Sequence, residues 1–338
     1  MRNSKIAGLG FLCACLVVFI HLPMGEVAPQ SAAWWFRELF VRGVCQIAVP
    51  FFFVVSGFFL GRHADEENCW KVAMGKRLRT LALPYAIWSF LYFLFVHLII
   101  AAANIVAHRS LAANMFADGL AKTVVHYSGL DFTSFPALTP LWYIRALLVF
   151  VILTPVLVWL LKRCPKTFVA AVFAIGMALD AIFPVESVMG SFFHFGFPVW
   201  GLAYFLFGLV IGMNGGMSVR RGQAVVAFAG AVVFMAAGCL FAENIMVSTI
   251  SKHLLRPCLL IAVWYFWPSS FGAYGGAFAL FLLHPFAYAV LRFFVPLPQT
   301  LIGAVAYASA AIVFSLFVAW FLRRFASRFA VVAFGGRV

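Results

Sequence analysis

Ten apolar runs dominate this sequence, and they constrain the fold more than any other feature. A transmembrane helix needs about 20 apolar residues to cross the hydrocarbon core of a bilayer. Of the 338 residues, 65% are hydrophobic and only 10% are charged, whereas a soluble domain carries about 25% charged residues. We therefore predict an all-α, polytopic integral membrane protein of about ten helices, forming a single domain over residues 1–338. The runs lie at about 6–24, 44–61, 80–101, 139–161, 168–184, 192–213, 224–242, 254–267, 273–295 and 301–322.

The distribution of basic residues predicts how these runs are oriented. The net charge is +14, and most of the 24 Lys and Arg residues fall in segments that face the cytoplasm if the N-terminus lies inside. Cytoplasmic loops are enriched in Lys and Arg, so both termini are expected in the cytoplasm and the protein in the inner membrane. Nucleic acid is not an expected partner, because no long basic patch is interleaved with aromatic residues.

Three of the runs are irregular. The second and eighth are short, which indicates either re-entrant or strongly buried segments. The ninth contains Pro285, which is expected to kink it. The first run has an alternative interpretation as a cleaved signal peptide, since small residues follow it at Ser31–Ala33; cleavage would remove His21.

His21 is the most informative single residue, because it interrupts an otherwise apolar run. An ionisable side chain at membrane depth is costly and marks a candidate functional site. At 1.5 Å per residue it lies about 22 Å beyond Ile6, in the outer third of the bilayer. Glu26 follows five residues later. A His with a nearby carboxylate is a plausible general base, because the acid orients the ring and stabilises its protonated form.

Three other polar residues within the spans are candidates for chemistry. Arg145 either stabilises a developing oxyanion or extends its charge to the membrane interface. Ser56 has two possible functional roles, as a hydrogen-bond donor or as the residue that carries the acyl group. Its structural alternative is a small residue that allows close helix packing beside Gly57. His284 either takes part in the reaction or satisfies a backbone carbonyl freed by Pro285. No metal site is expected, because no pair of His residues shows i, i+4 spacing and no Cys pair forms a CxxC motif.

Several stretches together resemble acyltransferase family 3, a family of polytopic membrane O-acyltransferases. The opening blocks are LVVFIH at Leu16–His21, AVPFFFVVSGFFLG at Ala48–Gly61 and KRLRTLALPY at Lys76–Tyr85. Two later stretches also fit, at Pro140–Leu157 and Phe278–Leu291. The similarity therefore covers most of the chain.

The resemblance implies transfer of an acyl group, usually acetyl, from cytoplasmic acyl-CoA to a hydroxyl of a cell-envelope glycan or lipid-linked sugar. His21 matches the family's catalytic His in the first span. We expect it to deprotonate the acceptor, which attacks the thioester directly; a covalent acyl-enzyme through His21 or Ser56 is the alternative. The remaining expected contacts are with the CoA phosphates through Lys76, Arg77 and Arg79, and with substrate through Trp142, Tyr143 and His194.

The chain also departs from the family pattern at two positions. Gly10 stands where many members have an Arg eleven residues before the His, and Gln46 stands where many carry a basic residue. Both changes concern donor or oxyanion contacts. Two other functions are therefore kept open: a secondary transporter or exporter of a glycan or small solute, since an intramembrane His, an Arg and a Pro-broken helix also fit transport, and a non-catalytic membrane assembly factor.

Overall fold

The computed structural model describes residues 4–65, 69–107, 120–268 and 276–336, and no β-strand occurs among them. The all-helical prediction is thus confirmed for the described chain. The α-helices are α1 Ser4–Ile20, α2 Ala32–Trp35, α3 Ala48–Gly61, α4 Cys69–Arg77, α5 Leu83–Ala107, α6 Leu120–Ser128, α7 Leu141–Arg163, α8 Pro165–Ile182, α9 Val188–Ser191, α10 Val199–Met213, α11 Arg221–Leu240, α12 Ile245–Phe266, α13 Ala277–Phe294, α14 Leu301–Phe325 and α15 Ser327–Ala333. Three π-helical segments and one 3-10 turn lie at Phe36–Val41, Leu78–Ala82, Phe192–Gly196 and Val44–Ile47.

The helices form a polytopic bundle. Within the described ranges, nine helical segments are long and apolar enough to cross a membrane. The 17-residue helix α1 is apolar but shorter. It accounts for the first of the ten predicted spans. The orientation of the bundle in the membrane stays a prediction.

The second span is longer than predicted. It extends over Ala32–Gly61, 30 residues, because α2, a π-helical segment, a 3-10 turn and α3 follow one another. The hydropathy pattern places its start later because Arg37, Glu38 and Arg42 are charged. Glu38 pairs with both arginines, since Glu38 Oε1 lies 3.1 Å from Arg37 Nε and 2.9 Å from Arg42 Nη1. The predicted length is therefore wrong, because the span starts at Ala32 and not at about 44.

The eighth span is also longer than predicted. Helix α12 begins at Ile245, where the Asn244 side chain caps it by accepting a hydrogen bond from the Val247 amide at 3.1 Å. Lys252 consequently lies within the helix and not before it, and Arg256 lies in the helix interior and not near its start. Hydropathy alone misses residues 245–253 because Lys252 and His253 are polar. The second expectation of a short segment is wrong for the same kind of reason.

The closest helix packing joins α3 and α10 through two reciprocal pairs of glycines. Gly57 and Gly61 of α3 lie against the backbone of Phe205 and Leu209, and Gly208 and Gly212 of α10 lie against the backbone of Val54 and Phe58. A Cβ atom at Gly57 would be 2.9 Å from the Leu209 amide nitrogen. Small residues four apart allow helix backbones to approach in this way where lipid offers no hydrophobic driving force.

This tight pair divides the bundle into two sides. Helix α1 packs against α13 and α3, and α13 packs against α14. On the other side, α8 packs against α10 and α12, and α12 packs against α11. Polar residues on the two sides of α3 and α10 are therefore held by different helices.

Arg145 of α7 holds the loop that precedes its own helix. The buried guanidinium donates to the carbonyl oxygens of Gly129, Asp131 at 2.8 Å, Ser134 at 3.2 Å and Phe195 at 3.3 Å. The Asp131 carboxylate in this loop accepts hydrogen bonds from Thr133, which lower the pKa of Asp131. A planar fork of N–H donors suits several carbonyls at once, so this geometry favours a structural role for Arg145.

Substitution of Gly57 by Ala tests the glycine interface. We expect Gly57→Ala to lower the free energy of unfolding by about 1–3 kcal/mol, because the added methyl group overlaps backbone that cannot move independently. Thermal unfolding of the purified protein in detergent measures this change. Gly222→Ala is the matched control, since nothing lies within 4 Å of its Cβ position. Equal stability of the two variants would contradict the interface.

Substitution of Arg145 tests whether it is a structural clamp. We expect Arg145→Gln to destabilise the protein by about 2 kcal/mol or more, because hydrogen bonds to a charged group are lost and buried carbonyls are left unpaired. Limited proteolysis should then cleave within residues 129–138, with Arg221→Gln as an exposed control. A variant that keeps its stability and protease resistance but loses activity would instead favour an oxyanion role.

Candidate functional site

Two histidine side chains lie side by side where α1 ends against α13. His21 follows the last residue of α1, and its amide still donates to the Val17 carbonyl at 3.2 Å. His284 lies in the interior of α13 and is fully buried. The two ring centroids are 5.2 Å apart with an interplanar angle of 32°. We refer to His21 and His284 as the histidine pair.

The hydrogen bonding of His284 indicates which ring nitrogen carries the proton. Its Nδ1 lies 3.2 Å from the Leu280 carbonyl oxygen, and a carbonyl can only accept, so we assign the hydrogen to Nδ1. In the neutral ring Nε2 then carries a lone pair. This Nε2 atom is buried and has no hydrogen-bond partner among the described residues. The pair therefore contains an available proton acceptor.

The His284 side chain satisfies backbone carbonyls of its own helix, as expected from Pro285. Proline at position 285 removes the hydrogen bond to the carbonyl four residues before it, that of Phe281. His284 interacts with the backbone of both Leu280 and Phe281. Helix α13 continues past Pro285 to Phe294. The predicted span includes 273–275, which lie outside the described residues.

Tyr288 fixes the two helices of the pair relative to each other. Its buried hydroxyl donates to the Val18 carbonyl of α1 at 2.8 Å. Its ring stacks on Tyr307 of α14 at a centroid distance of 5.8 Å. Since Tyr288 lies one turn after His284 and Val18 lies one turn before His21, this contact holds both imidazoles in position.

A hydroxyl pair lies beside the aromatic residues that neighbour His284. Ser56 Oγ and Tyr143 Oη are 3.3 Å apart. Tyr143 packs on Phe281 at 5.9 Å, and Phe281 lies one turn before His284 on α13. The glycine interface assigns close helix packing to Gly57, so Ser56 instead faces Tyr143. Within the described chain, Ser56 forms no hydrogen bond with a histidine.

The three basic residues at the start of the third span differ in exposure. Lys76 and Arg79 are exposed, whereas Arg77 is half-buried. Arg77 is therefore the member of the basic segment that is partly enclosed by the helices.

Other candidates from the sequence are not brought to the histidine pair. Glu26 is exposed in the loop after α1, and its carboxylate forms no ion pair in the described part of the protein. Arg145 is engaged with the loop carbonyls described above. Trp142 packs on Trp200 at a centroid distance of 6.1 Å, and His194 Nδ1 lies 3.3 Å from Asp180.

Neither Gly10 nor Gln46, the two positions that depart from the family pattern, contacts the histidine pair through a described hydrogen bond. Nothing lies within 4 Å of a Cβ atom built at Gly10, so the glycine is not required there by packing. Gln46 donates from Nε2 to the Val41 carbonyl at 3.1 Å, within its own span.

A second polar cluster lies on the other side of α3 and α10, and sequence reasoning found only His194 of it. Asp180 of α8 is flanked by His194 at 3.3 Å and by His253 of α12, whose Nε2 is 3.0 Å from Oδ2. Arg256 lies one turn after His253. Asp180 could have indicated this cluster, because it is a single acidic residue in the otherwise apolar run at 168–184. No metal-binding arrangement of three or more His, Cys, Asp or Glu residues is present in the described ranges.

Comparison with known proteins identifies the family to which this chain belongs. The sequence profile of a family described as "Acyltransferase domain" matches residues 5–324. The "Succinoglycan biosynthesis protein ExoH" of Rhizobium meliloti (strain 1021) is 26% identical over 203 residues, which cover 56% of this chain and 52% of that protein. The match thus spans about half the length of the curated relative.

No solved structure matches this chain. The profile match, in contrast, includes α1 with His21, the Phe-rich helix α3, and α13 with His284. These are the elements that form the histidine pair and the hydroxyl pair. The chain belongs to acyltransferase family 3, whose members are membrane acyltransferases.

Proposed function

We propose that this protein transfers an acetyl group from cytoplasmic acyl-CoA to a hydroxyl of a cell-envelope glycan. The observation that carries the proposal is the histidine pair with its unpartnered His284 Nε2 atom. A buried base without a partner is costly unless a proton donor arrives. A substrate hydroxyl is such a donor, and the family supplies the acyl-transfer chemistry.

In the proposed reaction, His21 takes the proton from the acceptor hydroxyl. The neighbouring His284 ring keeps the His21 ring in place, and its free Nε2 atom accepts a hydrogen bond from a second hydroxyl of the acceptor. The acceptor oxygen attacks the thioester carbonyl carbon, a C–O bond forms and the C–S bond breaks. The departing CoA sulfur receives the proton from His21, so the pair returns to its starting state.

Direct transfer fits the contacts better than an acyl-enzyme. A serine nucleophile needs a base within hydrogen-bond reach. Ser56 Oγ lies 3.3 Å from the Tyr143 hydroxyl, which is a weak base. Ser56 and Tyr143 are better suited to donating hydrogen bonds to the thioester oxygen during the reaction.

The donor is proposed to approach from the end of the bundle that carries Lys76, Arg77 and Arg79. Exposed Lys76 and Arg79 attract the CoA phosphates. Half-buried Arg77 is proposed to hold the donor further inside the bundle. This order of contacts suits a long donor whose phosphates remain at the surface while the thioester enters the bundle.

The acceptor is proposed to be a glycan or a lipid-linked sugar at the opposite end. The relative in Rhizobium meliloti is named as a succinoglycan biosynthesis protein, which supports a polysaccharide acceptor. Of the substrate contacts expected from the sequence, Tyr143 is the one proposed here, because it lies beside Ser56 and Phe281, whereas Trp142 and His194 pack on Trp200. With the basic loops inside, His21 faces the outer half of the inner membrane, where envelope glycans are found.

Substitution of the histidine pair tests the proposed base. We expect His21→Ala to reduce acyl transfer by roughly 10²–10⁴-fold and His284→Gln by roughly 10²-fold, the usual contribution of general-base catalysis. Mass spectrometry of envelope glycans from cells expressing each variant measures the added acyl group and its mass. His126→Ala is the control, because His126 is exposed. If His21→Ala reaches normal membrane levels and retains activity, the catalytic assignment is lost.

Substitution of Arg77 tests the donor route. We expect Arg77→Gln to raise the KM for acetyl-CoA roughly tenfold with a small change in kcat, because a charge-assisted contact to bound donor is lost. Arg79→Gln should have a smaller effect that weakens with added salt, since Arg79 is exposed. Initial-rate measurements with purified protein give both constants. A higher KM for Arg79→Gln than for Arg77→Gln would contradict the route.

A further inference from the structure

The second polar cluster holds the ends of two helices together. Asp180 lies close to the C-terminus of α8, and its carboxylate contacts His253 of α12 and His194 of the π-helical segment Phe192–Gly196. The Asp180 side chain is only 7% exposed and that of His253 only 3%. Each carboxylate oxygen therefore has an imidazole as its neighbour.

Arg256 is the group left without a counter-charge. Its Nε and Nη1 atoms are buried and have no hydrogen-bond partner in the ranges that the structure describes. The residue is 8% exposed. Its guanidinium lies 5.0 Å from the Trp200 ring centroid, a cation–π contact that offsets part of the cost of burial. A buried cation without an anionic partner remains strongly unfavourable.

Two neutral donors beside Arg256 are also unpaired. The Trp200 Nε1 and Tyr204 Oη atoms are buried without hydrogen-bond partners among the described residues. Trp200 and Tyr204 lie one turn apart on α10, with ring centroids separated by 6.4 Å. A guanidinium, an indole N–H and a phenol O–H all donate hydrogen bonds. Their common complement is an oxyanion.

An apolar cleft leads away from this group of donors. It has a volume of about 720 Å³ and lies between α8 and α12, with α3 and α10 as its floor. Tyr204, Phe173 and Pro257, the residue after Arg256, line the end nearest the donors. Lys166 and Met217 lie at the other end.

We propose that this cleft binds an anionic amphiphile, with a phosphate or carboxylate group at the end lined by Tyr204, next to Arg256 and Trp200, and with its alkyl or isoprenoid chain lying along the cleft. Charge complementarity favours an anion over a neutral lipid, and the apolar walls favour a long chain over a free inorganic ion. The inference is independent of the acyl-transfer mechanism, since none of these residues contacts the histidine pair.

Native mass spectrometry of delipidated protein tests the proposal with defined probes. A polyprenyl phosphate, phosphatidylglycerol and oleate are the anionic probes, and the matching polyprenol and inorganic phosphate are the controls. We expect at least one anionic amphiphile to bind roughly tenfold to hundredfold more tightly than the polyprenol, the value of a charge-assisted hydrogen bond. The tightest probe distinguishes a phosphate from a carboxylate ligand. Equal binding of alcohol and anions overturns the proposal.

Two substitutions locate the binding. Arg256→Gln should remove the preference for anions, whereas Lys252→Gln, an exposed residue on the same helix, should not. Should Arg256→Gln fail to fold, Ala170→Phe provides the decisive comparison, because Ala170 is exposed and lines the cleft. Its matched control is Ala171→Phe, which is exposed outside the cleft. If Ala170→Phe binds the anion as tightly as Ala171→Phe does, the cleft is not the site.

Discussion

The structure depends on one constraint: a polar group inside an apolar helix bundle has no bulk water to bind. Most such groups in this protein find a partner on their own or a neighbouring helix, as Tyr288 does with the Val18 carbonyl and Thr154 with the Phe150 carbonyl. The exceptions are informative because each one costs free energy. Two groups of exceptions stand out, one at His284 and one around Arg256.

The glycine interface of α3 and α10 explains why these two groups remain separate. The helices approach so closely that no side chain passes between them. Aromatic residues fill the space at one end of this interface, where Phe53 contacts Trp200 on one side and Tyr143 on the other. The proposed anionic ligand beside Arg256 and the proposed base His21 are thus separated by a layer of packed aromatic side chains.

Hydropathy predicted most of the fold, because span length and apolar content follow directly from the bilayer. His21 was also found from sequence, since one imidazole in an apolar run is conspicuous. The contact of His21 with His284 was not predictable, because 262 residues lie between them in the sequence. Only tertiary packing brings α1 against α13. The cluster at Asp180 was missed for a different reason: averaging over a window hides polar residues that pair between helices, so Arg256 was assigned to the edge of a shortened span.

Arg145 and Arg256 show why a buried arginine alone does not identify a site. Both are nine-tenths buried or more in helices next to the aromatic layer. Arg145 has four carbonyl partners, so its charge is already stabilised and its removal should cost stability first. Arg256 has a ring face and no anion, so its charge remains available to a ligand. The count of partners, rather than burial or residue type, separates a structural arginine from one that awaits a ligand.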